Sequence, residues 1–455
     1  MLGAIFERFV KESPISVMVR GLMERVFAPE TINRIFEENA SSQYTRELLF
    51  SSIVELMSLV VCGIHPSVSA AYRAKAEEMN VSRTAVYDKL NGVETPVSAA
   101  ILRETAIPLA SLIEFVGGKS PQILNGYKIR ILDGNCLEKT DHRLEILRTI
   151  AAGALPGKSL VVLDPELRLA INLFACEDGH AQERSMFSEV LKTVKEGELW
   201  IADRNMCTVG FLFGLHRSGA NFVIREHKSI PWEPITSLQA VDSVETGDLF
   251  EQTVSLRDAG EFLRVRRVIL KLKKPTRNAE NEIAIFTMLP TSAVSAAVVT
   301  ELYQGRRSVE NLFQTVTENY ECQIQTLGYP KAALFSFCLA LVAYNILATV
   351  RGVLASVHGV GKIDAGLSDY YMVDEVQGTY RGMMIAIAPE HWSVFADFEP
   401  EQFASILQDL ASRVRLKSFL KHTRAPKKKK NPPKYDPQHP HVSTAKLLAT
   451  AKKSP

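Results

Sequence analysis

The chain has 455 residues, 46% apolar and 23% charged, enough for a sizeable core and two to four domains, which excludes a disordered protein. Its formal net charge is only +2, yet from Lys421 onward ten Lys or Arg face Asp436 alone, so the preceding chain, with 43 basic and 50 acidic residues, is acidic. Cys62, Cys136, Cys176, Cys207, Cys322 and Cys338 are scattered, with no Cys-x-x-Cys pair and no zinc spacing; reduced thiols in the cytoplasm are the simplest reading. The N-terminus mixes charges into its apolar positions, unlike a signal peptide, and the apolar run FSFCLALVAYNILATV from Phe335 reads as a buried helix, not a membrane span.

Taken in order, the chain is first helical. Apolar residues recur at i, i+3, i+4 in TRELLFSSIVELMSLVV and AAILRETAIPLASLIEF, predicting a helical N-terminal domain over residues 1–120. Inside it, SVSAAYRAKAEEMNVSRTAVYDKLNG has the layout of helix, short turn at 79–81 and second helix, with Ser82 as N-cap and Gly92 as stop. The second helix would present Arg83, Thr84, Tyr87 and Lys89, residue types suited to phosphates and base edges; a plain helical hairpin with a solvated face has the same pattern.

Past Gly117, Gly118 and Pro121 the pattern turns to short apolar runs. YKIRILDGN is a predicted strand ending in Asp133, KSLVVLDPELRLAINLFAC two strands joined at Asp164-Pro165, and a helix covers about 183–196. ELWIADRN is another strand ending in an acid, Asp203, and a helix and strand follow. Strands alternating with helices predict an α/β domain, begun over residues 121–229. Residues 230–290 read as a β-rich insertion made basic by Arg264, Arg266, Arg267, Lys271, Lys273 and Lys274, either a charge-protected edge or a surface along a nucleic-acid backbone.

Helical periodicity resumes over 291–355. The stretch YQGRRSVE, residues 303–310, places Tyr303, Arg306 and Glu310 at i, i+3 and i+7, so a phenol, a cation and an acid share one helix face. Singly, an Asp at a strand end is ordinary turn chemistry and an Arg–Glu pair an ordinary surface salt bridge. Two strand-end acids and a helical one, in the order Asp133, Asp203, Glu310, make a candidate set of hard oxygen ligands. Residues 356–420 form a helical C-terminal region with an amphipathic helix near 402–415. The Lys- and Pro-rich tail, 421–455, is expected to be disordered.

These motifs resemble those of bacterial insertion-sequence DDE transposases of the IS-four type. That group shares a DG motif, a DRG- or DRN-like motif and a helical Y-x2-R-x3-E-x6-K signature, which stand here as Asp133-Gly134-Asn135, Asp203-Arg204-Asn205 and Tyr303-x2-Arg306-x3-Glu310. The resemblance spans about 127–348, and the signature's last Lys falls on Thr317; Lys331 lies farther along. It implies an RNase H-like catalytic core with a β-rich insertion, and two Mg²⁺ ions, replaceable by Mn²⁺, held by Asp133, Asp203 and Glu310. It further implies cut-and-paste transposition through nicking, hairpin formation and strand transfer. Arg306 and Tyr303 would then bind a phosphate, and Trp232, in the insertion, would stack on a flipped base unless it simply packs over a strand. The partners implied are double-stranded DNA with terminal inverted repeats, target DNA and a second copy of the chain in the DNA complex, with the helices after 360 as the candidate dimerisation region, and no membrane. A DNA-binding protein that has lost its chemistry is the alternative, kept open by Thr317.

Overall fold

The computed structural model of the chain describes residues 3–43, 47–77, 79–137, 144–147, 153–276, 279–320, 322, 324, 327–422 and 441–451. Seven α-helices come first: α1 (Glu7–Glu12), α2 (Pro14–Val26), α3 (Pro29–Asn39), α4 (Phe50–Val61), α5 (Val68–Ala74), α6 (Arg83–Gly92) and α7 (Thr95–Phe115). Strands β1 (Lys128–Leu137), β2 (Gly153–Leu155), β3 (Gly157–Asp164) and β4 (Leu169–Cys176) follow, then α8 (Phe187–Leu191), β5 (Glu198–Ala202), α9 (Val209–Arg217) and β6 (Asn221–Arg225). Among the described residues the insertion's elements are all strands: β7 (Glu233–Pro234), β8 (Gln239–Val244), β9 (Gly247–Asp258), β10 (Glu261–Leu272) and β11 (Glu282–Thr287). The chain then runs through α10 (Ala296–Gly305), α11 (Arg307–Asn319), α12 (Pro330–His358), α13 (Val360–Gly366), α14 (Asp369–Ala386), α15 (Pro389–Trp392), α16 (Val394–Asp397) and α17 (Pro400–Ser412). The helix expected over 183–196 is shorter, a 3₁₀ turn at Glu183–Met186 running into α8.

Ten strands form one sheet in the order β4-β3-β1-β5-β6-β11-β10-β9-β7, with β8 also on β9. The insertion therefore extends the α/β sheet, because β11 pairs antiparallel with β6. β1, β5 and β6 are parallel neighbours, and their side chains alternate with period two. Ile129, Ile131, Leu199, Ile201 and Val223 point into a core shared with α7, α10, α11 and α12. Leu132, Trp200, Ala202, Phe222 and Ile224 point the other way, onto α8 and α9. Near-continuous apolar strands are what a sheet covered on both faces requires.

The long apolar run is α12. Both α7 and α12 have the length and composition to cross a membrane, but 94% of the most apolar window of α12 is buried inside the protein. Helices from both ends of the chain surround it. Phe6 meets Trp392 edge-on at 4.9 Å, Phe36 stacks on Phe50 at 4.5 Å, and Phe50 in turn meets Phe335 at 5.7 Å. The helical N-terminal stretch is thus packed into one core with the C-terminal helices.

One of these contacts is pH-sensitive. Glu375 on α14 accepts a hydrogen bond from Ser16 Oγ on α2 at 3.4 Å, and burial pushes its carboxyl from 4.5 to about 7 against the lowering effect of Ser16. The folded chain then holds a proton that the unfolded chain releases, so this contribution is intact below about pH 4.5 and lost as pH rises through about 7. Relative to wild type, Glu375→Gln should melt progressively higher as pH is raised from 5 to 8; a difference that stays constant with pH would contradict this assignment.

Part of the basic tail is ordered. Residues His441–Ser443 form a strand, β12, paired parallel with β2, and α18 (Thr444–Ala451) follows, with Lys446 Nζ 2.9 Å from Asp178. This corrects the expectation of disorder there: ladder hydrogen bonds and an ion pair to distant segments supply what the local composition lacks. Residues 423–440 lie outside the described residues.

Candidate catalytic cleft

The β1–β5 register aligns Leu132 with Ala202, so Asp133 and Asp203 are the next pair in the row. Alternation places both on the face that carries α10 and α11, since Ile131 and Ile201 point there. β5 ends at Ala202 and the chain turns off as a 3₁₀ turn (Arg204–Met206), while β1 continues to Leu137 along β3. The strands part here and leave a cleft between the two acids and the helices above.

Those helices bring the remaining residues. Residues 303–310, expected as one helix, are two, joined at Arg306, whose N–H bonds the Tyr303 carbonyl at 3.1 Å in a tight turn. Gly305, a weak helix former, precedes the break. Tyr303 Oη donates to Asp203 Oδ1 at 3.1 Å, Arg306 Nη1 to Asp133 Oδ2 at 2.8 Å and Arg306 Nη2 to Glu310 Oε1 at 2.6 Å. All five residues named from spacing therefore meet.

The arrangement inside the cleft differs from three acids closing on one point. Among the described residues no group of three His, Cys, Asp or Glu is placed to hold a metal ion; the Arg306 guanidinium lies between Asp133 and Glu310 instead. Burial pushes the Asp133 carboxyl up to about 6, with Asp203 and Glu183 adding to the rise and Arg306 and the Gly134 N–H opposing it. Burial and the neighbouring Asp203 push the Tyr303 phenol up to about 12. Burial disfavours the Arg306 cation, but Asp133, Tyr303, Asp203 and Glu310 outweigh it and raise its pKa. The donor set is all oxygen, the ligand chemistry of a hard divalent ion, but in this arrangement the cation that Asp133 and Glu310 share is Arg306.

Three residues at this site escaped sequence reasoning. Glu183, on the 3₁₀ turn before α8, sets its carboxylate against Gly134, where an added Cβ would collide with it. Asn205 hydrogen-bonds it, and burial raises its pKa, with Lys158 opposing and Asp203 adding to the rise. The end of the Glu183 side chain thus takes the space beside the bare Gly134, and Gly134→Ala should swing that flexible carboxylate aside at little cost, read as a denaturation midpoint close to wild type. Arg225 ends β6 in the same row as the acids, because Ala202 aligns with Ile224. Glu280, from the loop after β10, bonds Arg204 and Arg225. A carboxylate some 50 residues from one motif carries no local signal.

Residues 125–346 match the family model of the transposase DDE domain. The matched segment contains Asp133, Asp203, Glu310, Tyr303 and Arg306, and runs from just before β1 into α12. No curated protein matches the chain. Among solved structures, it is similar to a chain in the cryo-EM structure of a piggyBac transposase synaptic complex with hairpin DNA, with 11% identity and a TM-score of 0.40 over 86% of this chain and 85% of that one.

Outside the matched segment, α5 and α6 form the expected helix pair, and Ser82 Oγ caps α6 by accepting from Ala85 N at 3.2 Å. Arg83 and Thr84 are exposed and Tyr87 is half-buried. Lys89, expected on the same surface, lies over the Phe36 ring at 4.1 Å, because the helix turns that side toward α3. Within the segment, Trp232 has two partners that also bond each other: its Nε1 donates to Glu226 Oε1 at 2.8 Å, Arg267 covers the ring at 4.7 Å, and Arg267 bonds Glu226 at 2.7 Å. Two of the insertion's cations are therefore internal, since Arg266 is also buried against Glu251 and the carbonyls of Leu289 and Val294. Thr317 is exposed on α11 and Lys331 half-buried in the first turn of α12.

Proposed function

We propose that this chain is a cut-and-paste DNA transposase of the IS-four type, with an RNase H-like core. The observation that carries the reading is the meeting of Asp133, Asp203 and Glu310 around Tyr303 and Arg306 within the segment that matches the transposase DDE domain. Asp133, Asp203 and Glu310 would hold two Mg²⁺ ions, or Mn²⁺ in their place, whose chemistry when bound is to activate an attacking oxygen and neutralise a leaving one at phosphorus. Arg306 then turns from the carboxylates to a DNA phosphate, which its planar fork suits, and Tyr303 orients that phosphate by its hydroxyl.

The reaction is hydrolysis at the transposon ends, attack of the freed 3′-OH on the opposite strand to give a hairpin, hairpin opening and transfer to target DNA. Arg83, Thr84 and Tyr87 on α6 would contact the end repeats, with two copies of the chain pairing two DNA ends in the cytoplasm. Trp232, pinned as it is, would reach a flipped base only by leaving Glu226. Thr317 in place of a Lys favours a second reading, a DNA-binding protein without chemistry. Purified chain incubated with Mg²⁺ and DNA carrying the inverted repeats that flank its gene separates the two: metal-dependent nicks and hairpins are expected, and intact DNA with full binding would establish the second reading.

A further inference from the structure

At the rim of the cleft, one carboxylate neutralises two arginines. Glu280 Oε1 lies 2.8 Å from Arg204 Nη1 and Glu280 Oε2 2.7 Å from Arg225 Nη2, one oxygen to each guanidinium. Arg204 follows Asp203 directly, and Arg225 stands in the row of Asp133 and Asp203 across three adjacent parallel strands. Glu280 reaches them from the segment between β10 and β11. Thr276 N bonds the Glu280 carbonyl at 2.8 Å, Glu280 N bonds Thr276 Oγ1 at 3.2 Å, and Ala279 holds φ +60°. The left-handed conformation at an alanine is a strained choice, held beside the Thr276–Glu280 hydrogen bonds.

Two guanidiniums sharing the two oxygens of one anion is also the arrangement that the non-bridging oxygens of a phosphodiester take between arginines. Glu280 and Arg204 keep 24% and 39% of their side-chain surface exposed, so water and ions reach the pair and it holds only weakly. Arg306 shows the same habit, its fork already on Asp133 and Glu310. The cleft's described arginines are therefore satisfied by the protein's own acids.

We propose that Glu280 is a built-in substitute for a DNA phosphate, holding Arg204 and Arg225 in place beside Asp203 until the DNA backbone displaces it. The inference rests on the reading that the cleft takes DNA. Each duplex that binds must first break the Glu280 contacts, so Glu280 lowers affinity for DNA in general and keeps the cleft from acting as an indiscriminate basic surface.

The test is fluorescence anisotropy of the full chain with a labelled duplex of arbitrary sequence, in EDTA, across a salt series. Glu280→Gln keeps the side chain's size and removes its charge. It should bind about tenfold tighter than wild type, with the salt slope steeper by about one unit because an additional counterion is released on binding. Glu282→Gln, an exposed residue of β11 with the same change in net charge, should leave affinity unchanged. Equal gains in both variants would reduce the effect to net charge and overturn the proposal. Unchanged or weaker binding by Glu280→Gln would overturn it too, since Glu280 would then be organising the arginines for DNA. Should that variant not fold, Glu280→Asp, too short to bridge both guanidiniums, should show a smaller gain, and no gain would count against the proposal. Wild-type chain that binds no duplex at all would sink the functional reading itself, whereas normal wild-type binding with an unresponsive Glu280→Gln would sink only this inference.

Discussion

Asp203→Asn should abolish metal-dependent cleavage of end-repeat DNA, by about 10³-fold or more, while duplex binding in EDTA stays within a few-fold of wild type. The substitution keeps the side chain's shape and its hydrogen bond from Tyr303 Oη, now 3.1 Å from Asp203 Oδ1, so the local fold should persist. It removes one of the charges at the strand ends that a divalent ion needs. Losing one preorganised electrostatic partner of a reacting phosphate costs on the order of 10²–10³ in rate even when that partner is neutral, and a charged ligand costs more. The separation of cleavage from binding is the informative part. If Asp203→Asn and wild type gave the same products, the acids would be structural. If binding collapsed with cleavage, Asp203 would be holding the cleft together.

The second large effect is on stability and concerns Asn345, in the middle of the apolar helix α12. Its Nδ2 donates to the Ala170 carbonyl and its Oδ1 accepts from the Ala170 N–H, both at 2.8 Å, and it is fully buried. Ala170 lies on β4, which ends the sheet order and pairs only with β3. The outward backbone groups of an end strand need partners once a helix covers them. The Asn345 amide supplies both, acting as a one-residue extension of the sheet. Asn345→Leu leaves a buried donor and a buried acceptor unpaired, at about 1–3 kcal/mol each. Chemical denaturation should show a loss of roughly 2–5 kcal/mol, enough to compromise a fold of ordinary stability. A midpoint equal to wild type would mean that α12 is held by its apolar contacts alone.

The catalytic candidates were legible because each sits in strong local periodicity. Apolar alternation ends at Asp133 and Asp203, and the i, i+3, i+7 spacing of Tyr303, Arg306 and Glu310 puts them on one face even though the helix breaks at Arg306. The sheet and the insertion's strands were legible for the same reason. The contact of Lys89 with Phe36 was not legible, because composition identifies a basic helix face but not which side of it meets Phe36. The end of the tail was misread because its strand forms only against β2, nearly 290 residues earlier.

What the sequence determined by itself is the set of elements and the identity of five side chains able to converge, since period and spacing are properties of neighbouring residues. The tertiary structure alone decided what those side chains touch. It decided that Arg306 stands between Asp133 and Glu310, that Glu183 lies against Gly134, and that Glu280 holds Arg204 and Arg225. Each is a contact between charges or surfaces distant in the chain, and its formation depends on strand order and register, which no local pattern encodes.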